Sequence, residues 1–568
     1  MLRVILSIVV LIVASYQSAF AQFTLSHEWS FRIGTSGWDD TQDVTKDAAG
    51  NSYVTGVFSG TVDFDFGPGN NALTSAGLTD VFFAKYDVYG GLVWAKSLPG
   101  AGGDVSTSIS IDNNGNVYVA GYYFHSFDAD PGSGVDSLVM TGLSNIFFGK
   151  YDANGNYLWA KSLGMAGFSE AHNLRVNGTG DVFVSGTFLM VIDLNADPLY
   201  GDLKQSVSLQ DIFIVKYTTE GIYVWGKQIG GSGNQEDEAL ELDASGNIVL
   251  AGWFNGTPDF DPGTSVSGIE SQGGKDVFLA KYDPSGNYLW AKSLTGAGNA
   301  AIGEIAVDEL GSIYITGSFV DDINFDMGVS AVALGELDGY FAKYDGNGNC
   351  NWAHTIGSAG SQASVNSVAL DPDGNVYLTG GFGGITDFDP GSGVSNLPGD
   401  DFFRAFVASY TNNGSLRWAD DFEGDDVSRG NQIVVKDGYI YATIAFQGLI
   451  DADPGPGNTS FNSLGDWDVF FGRYGQSGVG IDDLSVNTAL AVYQDQSNGH
   501  LNVLLEAISG KGSDLTILSA SGQQVYQIFF DNTPLKAIID ASQWPAGLYI
   551  IAVNTDESVL TNRLILNR

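Results

Sequence analysis

Tryptophan keeps one beat through most of this chain. Trp29, Trp94, Trp159, Trp225, Trp290, Trp352 and Trp418 recur at intervals of 62–66 residues, mostly inside "WAKSL" or a near relative. A fixed period constrains the fold more than any other feature, because each unit must bury its apolar faces against a neighbour of the same kind. Other elements answer in the same register. Acidic pairs begin at Asp63, Asp128, Asp193, Asp259, Asp387 and Asp451, with Asn324 in the fifth place. Runs such as "DNNGNVYVAG" from Asp112 and "DPDGNVYLTG" from Asp371, and "DVFFAKYD" from Asp80, complete the unit.

Each unit supplies four short segments rich in Val, Ile, Phe, Tyr and Trp, separated by Asn-Gly and Asp-Gly type turns, the pattern of antiparallel strands joined by hairpins. Apolar residues occupy both alternation phases of "VYVAGYY" and "IFFGKY". Both faces of each small sheet are therefore buried, as in sheets stacked around an axis and unlike a half-solvated sandwich. The array also starts and stops out of phase: "HEWSFRIG" is a Trp strand with nothing before it, and the last unit stops at "DVFFGRYG" without a Trp strand. A closed ring explains this, since the N-terminal strand completes the last sheet and pairs its free edge. The expectation is an all-β protein: a seven-bladed β-propeller over 22–475, about 65 residues per repeat, closed by its N-terminal strand. The 76 glycines, 12% aromatic residues and only 16% charged residues fit large cores interrupted by many turns.

The combination of D-x-x-G-N-x-Y-V-x-G, D-F-D-P-G and A-K-Y-D-x-x-G-N-x-x-W-A-K resembles the SBBP-type β-propeller repeat of secreted and surface bacterial proteins. Copies drift at "DLNADP" from Asp193, at "NFDMG" from Asn324 and at Ile444, which replaces the strand glycine. The resemblance implies the propeller and brings no catalytic site with it. After Gly480 the texture changes. "SGVGIDDLSVNTAL" reads as a linker, placed at 476–487, and residues 488–568 form a separate segment with "LTILSASGQQV" and "WPAGLYIIAV". That segment resembles the type A C-terminal sorting domain of the type IX secretion system, which implies a small β-sandwich and the type IX machinery as a partner. Gln494-Asp495-Gln496 stands where the family's opening has Pro-Asn-Pro.

Residues 1–21 read as a signal peptide, with Arg3, an apolar run and Ala19-Phe20-Ala21 as the cleavage site. No segment is long enough to span a bilayer as a helix. Leader and tail together imply export in two steps to the outside, or the outer surface, of a Gram-negative bacterium. The net charge of −42 excludes nucleic acid and anionic membrane surfaces as natural partners. Cys350 stands alone, so neither an intramolecular disulfide nor a cysteine-based metal site can form. The expected state is a monomer.

Chemistry is hard to place. The five histidines, His27, His125, His172, His354 and His500, fall at different repeat positions and show no metal spacing. "PGAGGD" and "GGSGNQ" lack the helix and the G-K-S/T of a phosphate loop. "YDANGNYLWA" is similar to the Asp-box turn of sialidase propellers, but its aspartate and glycine are two residues apart rather than one. A glycan hydrolase needs only two suitably placed carboxylates, and 66 acidic residues permit this without indicating it. Near-identical blades favour a non-catalytic binding or structural module for an extracellular glycan or protein. Its functional residues are expected on the face where the Asp-Pro-Gly loops meet the Gly-rich loops joining successive blades.

The Asp-Pro-Gly loops admit two readings. Their acidic residues, Asp63, Asp65, Asp128, Asp130, Asp193, Asp197, Asp259, Asp261, Asp326, Asp387, Asp389, Asp451 and Asp453, either hold weakly bound Ca²⁺ or cap backbone N–H groups and fix the turn. The full D-x-D-x-D-G calcium pattern is absent. The capping reading is preferred, because Asn324 can play that part equally well.

Overall fold

The computed structural model describes residues 22–479, apart from single positions at 68, 198, 327 and 401, and beyond 489 the strands between 490 and 566 with a few residues beside them. The leader expected over 1–21 and residues 480–487 of the expected linker lie outside the described residues. Contacts divide the chain into two compact units, Thr24–Gln476 and a second that includes Ser477–Arg568.

In the first unit every repeat forms an antiparallel sheet whose four strands lie side by side in chain order. Asp40–Lys46, Ser52–Phe58, Asp80–Tyr86 and Leu92–Leu98 make the first blade. The seventh differs: Ser428–Lys436, Tyr439–Phe446 and Asp468–Val479 are completed at the outer edge by Gln22–Ile33. The ring is therefore a seven-bladed propeller sealed by its N-terminal strand, as the phase of the repeats requires. The first strands of successive blades touch one another in turn, and the last returns to the first, so they line a central channel. Middle strands such as Ser52–Phe58 and Asn145–Tyr151 are buried at every position, which is why apolar residues fill both phases.

The repeated residues are the joints between and within blades. On the outermost strands, Trp94, Trp159 and Trp290 donate their indole N–H to the turns of the following blade, at Ala153 O (3.1 Å), Thr219 O (3.1 Å) and Gly346 O (3.2 Å). Trp29 does the same across the closure, to Val88 O at 3.3 Å. The turn that receives Trp94 contains Gly155, at φ +73° and so close to the ring that a Cβ would lie 3.2 Å from it. Only glycine satisfies both demands.

The tyrosine of "KYD" fixes the Asp-Pro-Gly loop. Tyr86, Tyr151, Tyr217, Tyr282, Tyr344, Tyr410 and Tyr474 each donate to the carbonyl between the paired positions, at Phe64, Ala129, Leu194, Phe260, Phe325, Phe388 and Ala452, over 2.7–3.3 Å. Those middle residues are all at most 1% exposed. Each loop is thus plugged into its blade by an apolar side chain and a buried phenol.

The second unit has Leu490–Asp495, His500–Leu505 and Leu535–Asp540 in one sheet. Gln524–Phe530, Ser513–Ser519, Gly547–Asn554 and Val559–Leu566 form another. Leu515, Ile517, Tyr549 and Ile551 are buried there. Among the described residues no helix is long and apolar enough to cross a membrane.

Candidate functional site

The structure distributes the Asp-Pro-Gly aspartates around the ring, one loop per blade, and gives their carboxylates backbone partners. Asp128 Oδ1 accepts from the N–H groups of Asp130 (3.1 Å) and Asp136 (2.8 Å), and Asp130 Oδ1 accepts from Gly132 at 2.8 Å. The same three bonds recur at Asp63 and Asp65, Asp259 and Asp261, Asp387 and Asp389, and Asp451 and Asp453. In blade three Asn195, two residues after Asp193, takes the second place, and Asp197 caps Leu199 one step further on. In blade five Asn324 accepts from the Asp326 N–H, while the Asp326 carboxylate meets Lys292 at 3.0 Å. Among the described residues no group of three or more His, Cys, Asp or Glu is placed to hold a metal ion.

These loops lie against the loops that join blades. Asp128 N donates to Pro99 O (2.9 Å) and Ala101 N to Ser126 O (3.1 Å), with equivalent pairs at Asn324 with Thr295 and at Asp451 with Glu423. The two loop sets share one face, onto which the central channel opens.

That channel is where unlike residues converge. In each of the seven first strands the pairing with its neighbour slips, skipping Gln42, Thr107, His172, Glu238, Gly303 with Glu304, Asn366 and Asn431. A bulge re-aims a side chain out of the ladder. Gln42, Thr107, His172, Glu238 and Glu304 here line a cavity of about 500 Å³ at the mouth. Trp38, Tyr122, Glu170, Asn173, Arg175 and Glu236 also stand in its wall.

His172 is held through Nδ1, which donates to Asp237 O at 2.6 Å and approaches Asp237 Oδ1 at 3.2 Å. Asp237 is fully buried and also accepts from Ser185 Oγ (2.5 Å) and Asn173 Nδ2 (3.3 Å). Burial opposes the imidazolium, but Asp237 and the neighbouring glutamates outweigh it and push the His172 pKa up to about 10. The ring is thus a fixed cation. Glu238 is exposed to the cavity, yet desolvation by the surrounding channel wall pushes it up to about 7, with His172 opposing. Glu236 is raised for the same reason.

Deeper in, a charged layer forms the floor. Arg175 Nε meets Glu241 Oε1 at 2.5 Å and its Nη1 lies 3.7 Å from Asp43 Oδ2. Asp43 Oδ2 accepts from Ser108 Oγ and from the Ile109 N–H, both at 2.9 Å. Opposite, Glu304 accepts from Ser367 and from the Val368 N–H, and Ser367 also contacts Gln432. Asp43, Arg175, Glu304 and Gln432 line the mouth cavity and also a second one of about 330 Å³ beyond it, so this layer divides the channel. Burial pushes Glu304 up to about 7.

Residues 93–122 and 351–380 match the family model described as Beta-propeller repeat, and residues 493–567 match the model described as Secretion system C-terminal sorting domain. The chain carries SBBP propeller repeats and a C-terminal sorting domain of the type IX kind. The chain is also 24% identical, over 72% of its length, to an uncharacterized WD repeat-containing protein of Acanthamoeba polyphaga mimivirus. It is 28% identical, over 44% of its length, to the regulatory protein FlaEY of Caulobacter vibrioides. It spans only 35% and 27% of those two relatives. A solved structure of YCF48 with a bound peptide aligns with 68% of this chain and 92% of its own, at 10% identity and a TM-score of 0.32.

Repeat analysis passes over the channel residues of the SBBP propeller because they do not repeat. "VSTSISI", "SEAHNLRV" and "QEDEALEL" occupy the same place in blades two, three and four. At the bulge position alone the seven units carry Gln42, Thr107, His172, Glu238, Gly303 with Glu304, Asn366 and Asn431, with no common residue type.

Proposed function

We propose that this protein is a secreted or cell-surface propeller of a Gram-negative bacterium that binds an extracellular glycan or protein at the mouth of its central channel, without catalysis of its own. The sorting domain delivers it through the type IX machinery. One observation carries the binding reading: in a ring of near-identical blades, several blades contribute different polar and aromatic side chains to a cavity of about 500 Å³, within the range of ligand pockets. The test is a binding screen of the chain from residue 22 onward against glycan and surface-protein arrays. Binding should be lost in Glu236→Gln with Glu238→Gln and kept in Asp128→Ala with Asp130→Ala. The opposite pattern would move the site to the loops.

A hydrolase reading has one observation in its favour: Glu238 and Glu304, both pushed up to about 7, line the same cavity, and this is the range of a general acid. Against it, Glu304 is already engaged by Ser367 and the Val368 N–H in the channel floor. Hydrolysis of a labelled glycan, abolished by Glu238→Gln with Glu304→Gln, would establish the enzyme.

A further inference from the structure

On the far side of the charged layer the second channel cavity has walls of two kinds. It measures about 330 Å³ and lies where the first strands of the blades run out, on the face opposite the Asp-Pro-Gly loops. One register position of those strands sets its circumference. Thr45, Ser110, Arg175, Glu241, Ala306, Ala369 and Val434 line it, and they pair with Tyr53, Tyr118, Phe183, Val249, Tyr314, Tyr377 and Tyr441 of the second strands, the same place in every blade. Blades one to four therefore present two hydroxyls, a guanidinium and a carboxylate, while blades five to seven present small apolar side chains. The cavity is amphipathic across its width.

The polar arc has hydrogen-bonding capacity that the protein does not use. Neither Thr45 nor Ser110 makes a side-chain hydrogen bond among the described residues. Arg175 directs Nε to Glu241 Oε1 at 2.5 Å and Nη1 to Ser108 Oγ and the Leu174 carbonyl, while its Nη2 donates no hydrogen bond among the described residues. Glu241 Oε2 likewise accepts none, and the Glu241 side chain is 27% exposed. The arc thus offers a cationic donor beside an anionic acceptor, with two hydroxyls that can do either.

A ligand that fits here is small, because about 330 Å³ lies near the lower end of the range of about 300–1,000 Å³ found for ligand pockets. It needs an apolar body for one arc and, on its other side, groups that answer both charges. A free amino acid with an aliphatic side chain has this make-up: its carboxylate matches a guanidinium, its ammonium brings three donors to a carboxylate, and both sit on one carbon with the apolar branch opposite. The Arg175–Glu241 pair is neutral by itself, so it is best answered by a ligand that carries both charges and is neutral as a whole. An anion would meet Asp43, Glu241 and Glu304 around a single guanidinium, and a cation would leave Arg175 facing a like charge. A sugar would turn hydroxyls toward Ala306, Ala369 and Val434.

We propose that the back half of the channel binds a free aliphatic amino acid of about the size of leucine, its carboxylate on Arg175, its ammonium on Glu241 and its side chain against Ala306, Ala369 and Val434. This site is separate from the mouth and does not depend on what binds there. The test is isothermal titration calorimetry of the chain from residue 22 onward with leucine, N-acetyl-leucine, leucinamide and isoamyl alcohol. Saturable binding of leucine is expected. Acetylation, which removes the ammonium, and amidation, which removes the carboxylate, should each weaken it about tenfold or more, a loss of about 1.4 kcal/mol or more. Glu241→Gln should weaken leucine to a similar extent, and Ala369→Phe, which fills the apolar side, should abolish its binding. An unchanged melting temperature shows that the ring of a variant is intact; if Ala369→Phe does not fold, Glu241→Gln decides alone. Absence of saturable leucine binding, equal binding of the acetylated or amidated form, or unchanged binding in either folded variant overturns the proposal. Isoamyl alcohol bound as tightly as leucine would reduce the site to an apolar hole and overturn it as well.

Discussion

Deleting residues 23–34 should open the ring. The strand Gln22–Ile33 buries Leu25 (2% exposed), Phe31 (6%) and Ile33 (0%), and its Trp29 packs against Phe31, Tyr441 and Phe471. Single truncations of such residues cost about 2–5 kcal/mol each. The three buried side chains together therefore represent on the order of 10 kcal/mol, comparable with the 5–15 kcal/mol that separates a typical folded domain from its unfolded state. The deletion also removes the Arg32 bond to Asn462 O (2.6 Å) and the Leu25 N–H that Asp420 accepts at 3.0 Å, and it bares the edge of Asp468–Val479. Differential scanning calorimetry and light scattering after size exclusion are the assays. A strong drop in Tm, with oligomers formed through the open edge, is expected. A synthetic peptide of residues 22–34 added in trans should restore part of the lost Tm by strand addition. A deletion variant that melts at the wild-type temperature and stays monomeric would refute the reasoning.

Truncation from Leu490 onward should leave the propeller folded but not exported, as fractionation and immunoblotting would show; normal surface amounts would remove the sorting role from this segment. Stability should fall from about pH 4 to pH 6. Glu304 and Asp104 are pushed up to about 7, mainly by burial, so between about pH 4 and 7 the folded chain binds more protons than the unfolded one and loses stability as they leave. Above that range His172, where burial is outweighed by Asp237, loses its contribution as pH rises from about 6.5 through about 10, while Lys46, pushed down to about 6 by burial, acts in the opposite direction. A Tm that rises from about pH 4 to pH 6 would contradict these assignments. For the Asp-Pro-Gly loops, calcium and chelator should give coincident melting curves, and Asp128→Ala with Asp130→Ala should cost about 3 kcal/mol, roughly one for each backbone N–H left without its cap. A calcium-dependent rise in Tm, lost in that variant, would assign the loops to the metal.

The fold could be read from the sequence because the residues that build it are obliged to repeat. Each Trp must meet the next turn, each "KYD" tyrosine must meet its loop carbonyl, and the glycine under Trp94 tolerates no Cβ. The closure was legible from phase alone, since a strand without a sheet and a sheet without a strand sit at opposite ends of the array. The channel was not. Asp43, Arg175, Glu304 and Gln432 belong to four different blades, and only the radius of the ring brings them to one cavity. Their side chains project into the channel and not into the packing between blades, so blade packing does not hold them to the period. The bulge that turns His172 and Glu238 inward was hidden as well, because a one-residue slip in pairing leaves no mark in composition.

The sealing strand also sets an order of events. Arg32 finds its carbonyl partner 430 positions away, so the contact that locks the ring joins one of the first parts of the propeller to be made to one of the last. Contacts of such separation are slow to form, because the closure entropy of the whole intervening loop must be overcome first. Six blades can each zip locally from hairpins, while the seventh waits for a strand that has had no sheet to join since it was synthesised. Until it arrives, the edge of Asp468–Val479 is an open template for any other chain. Folding of this ring is therefore timed by its final step, and its danger is concentrated in the interval before it.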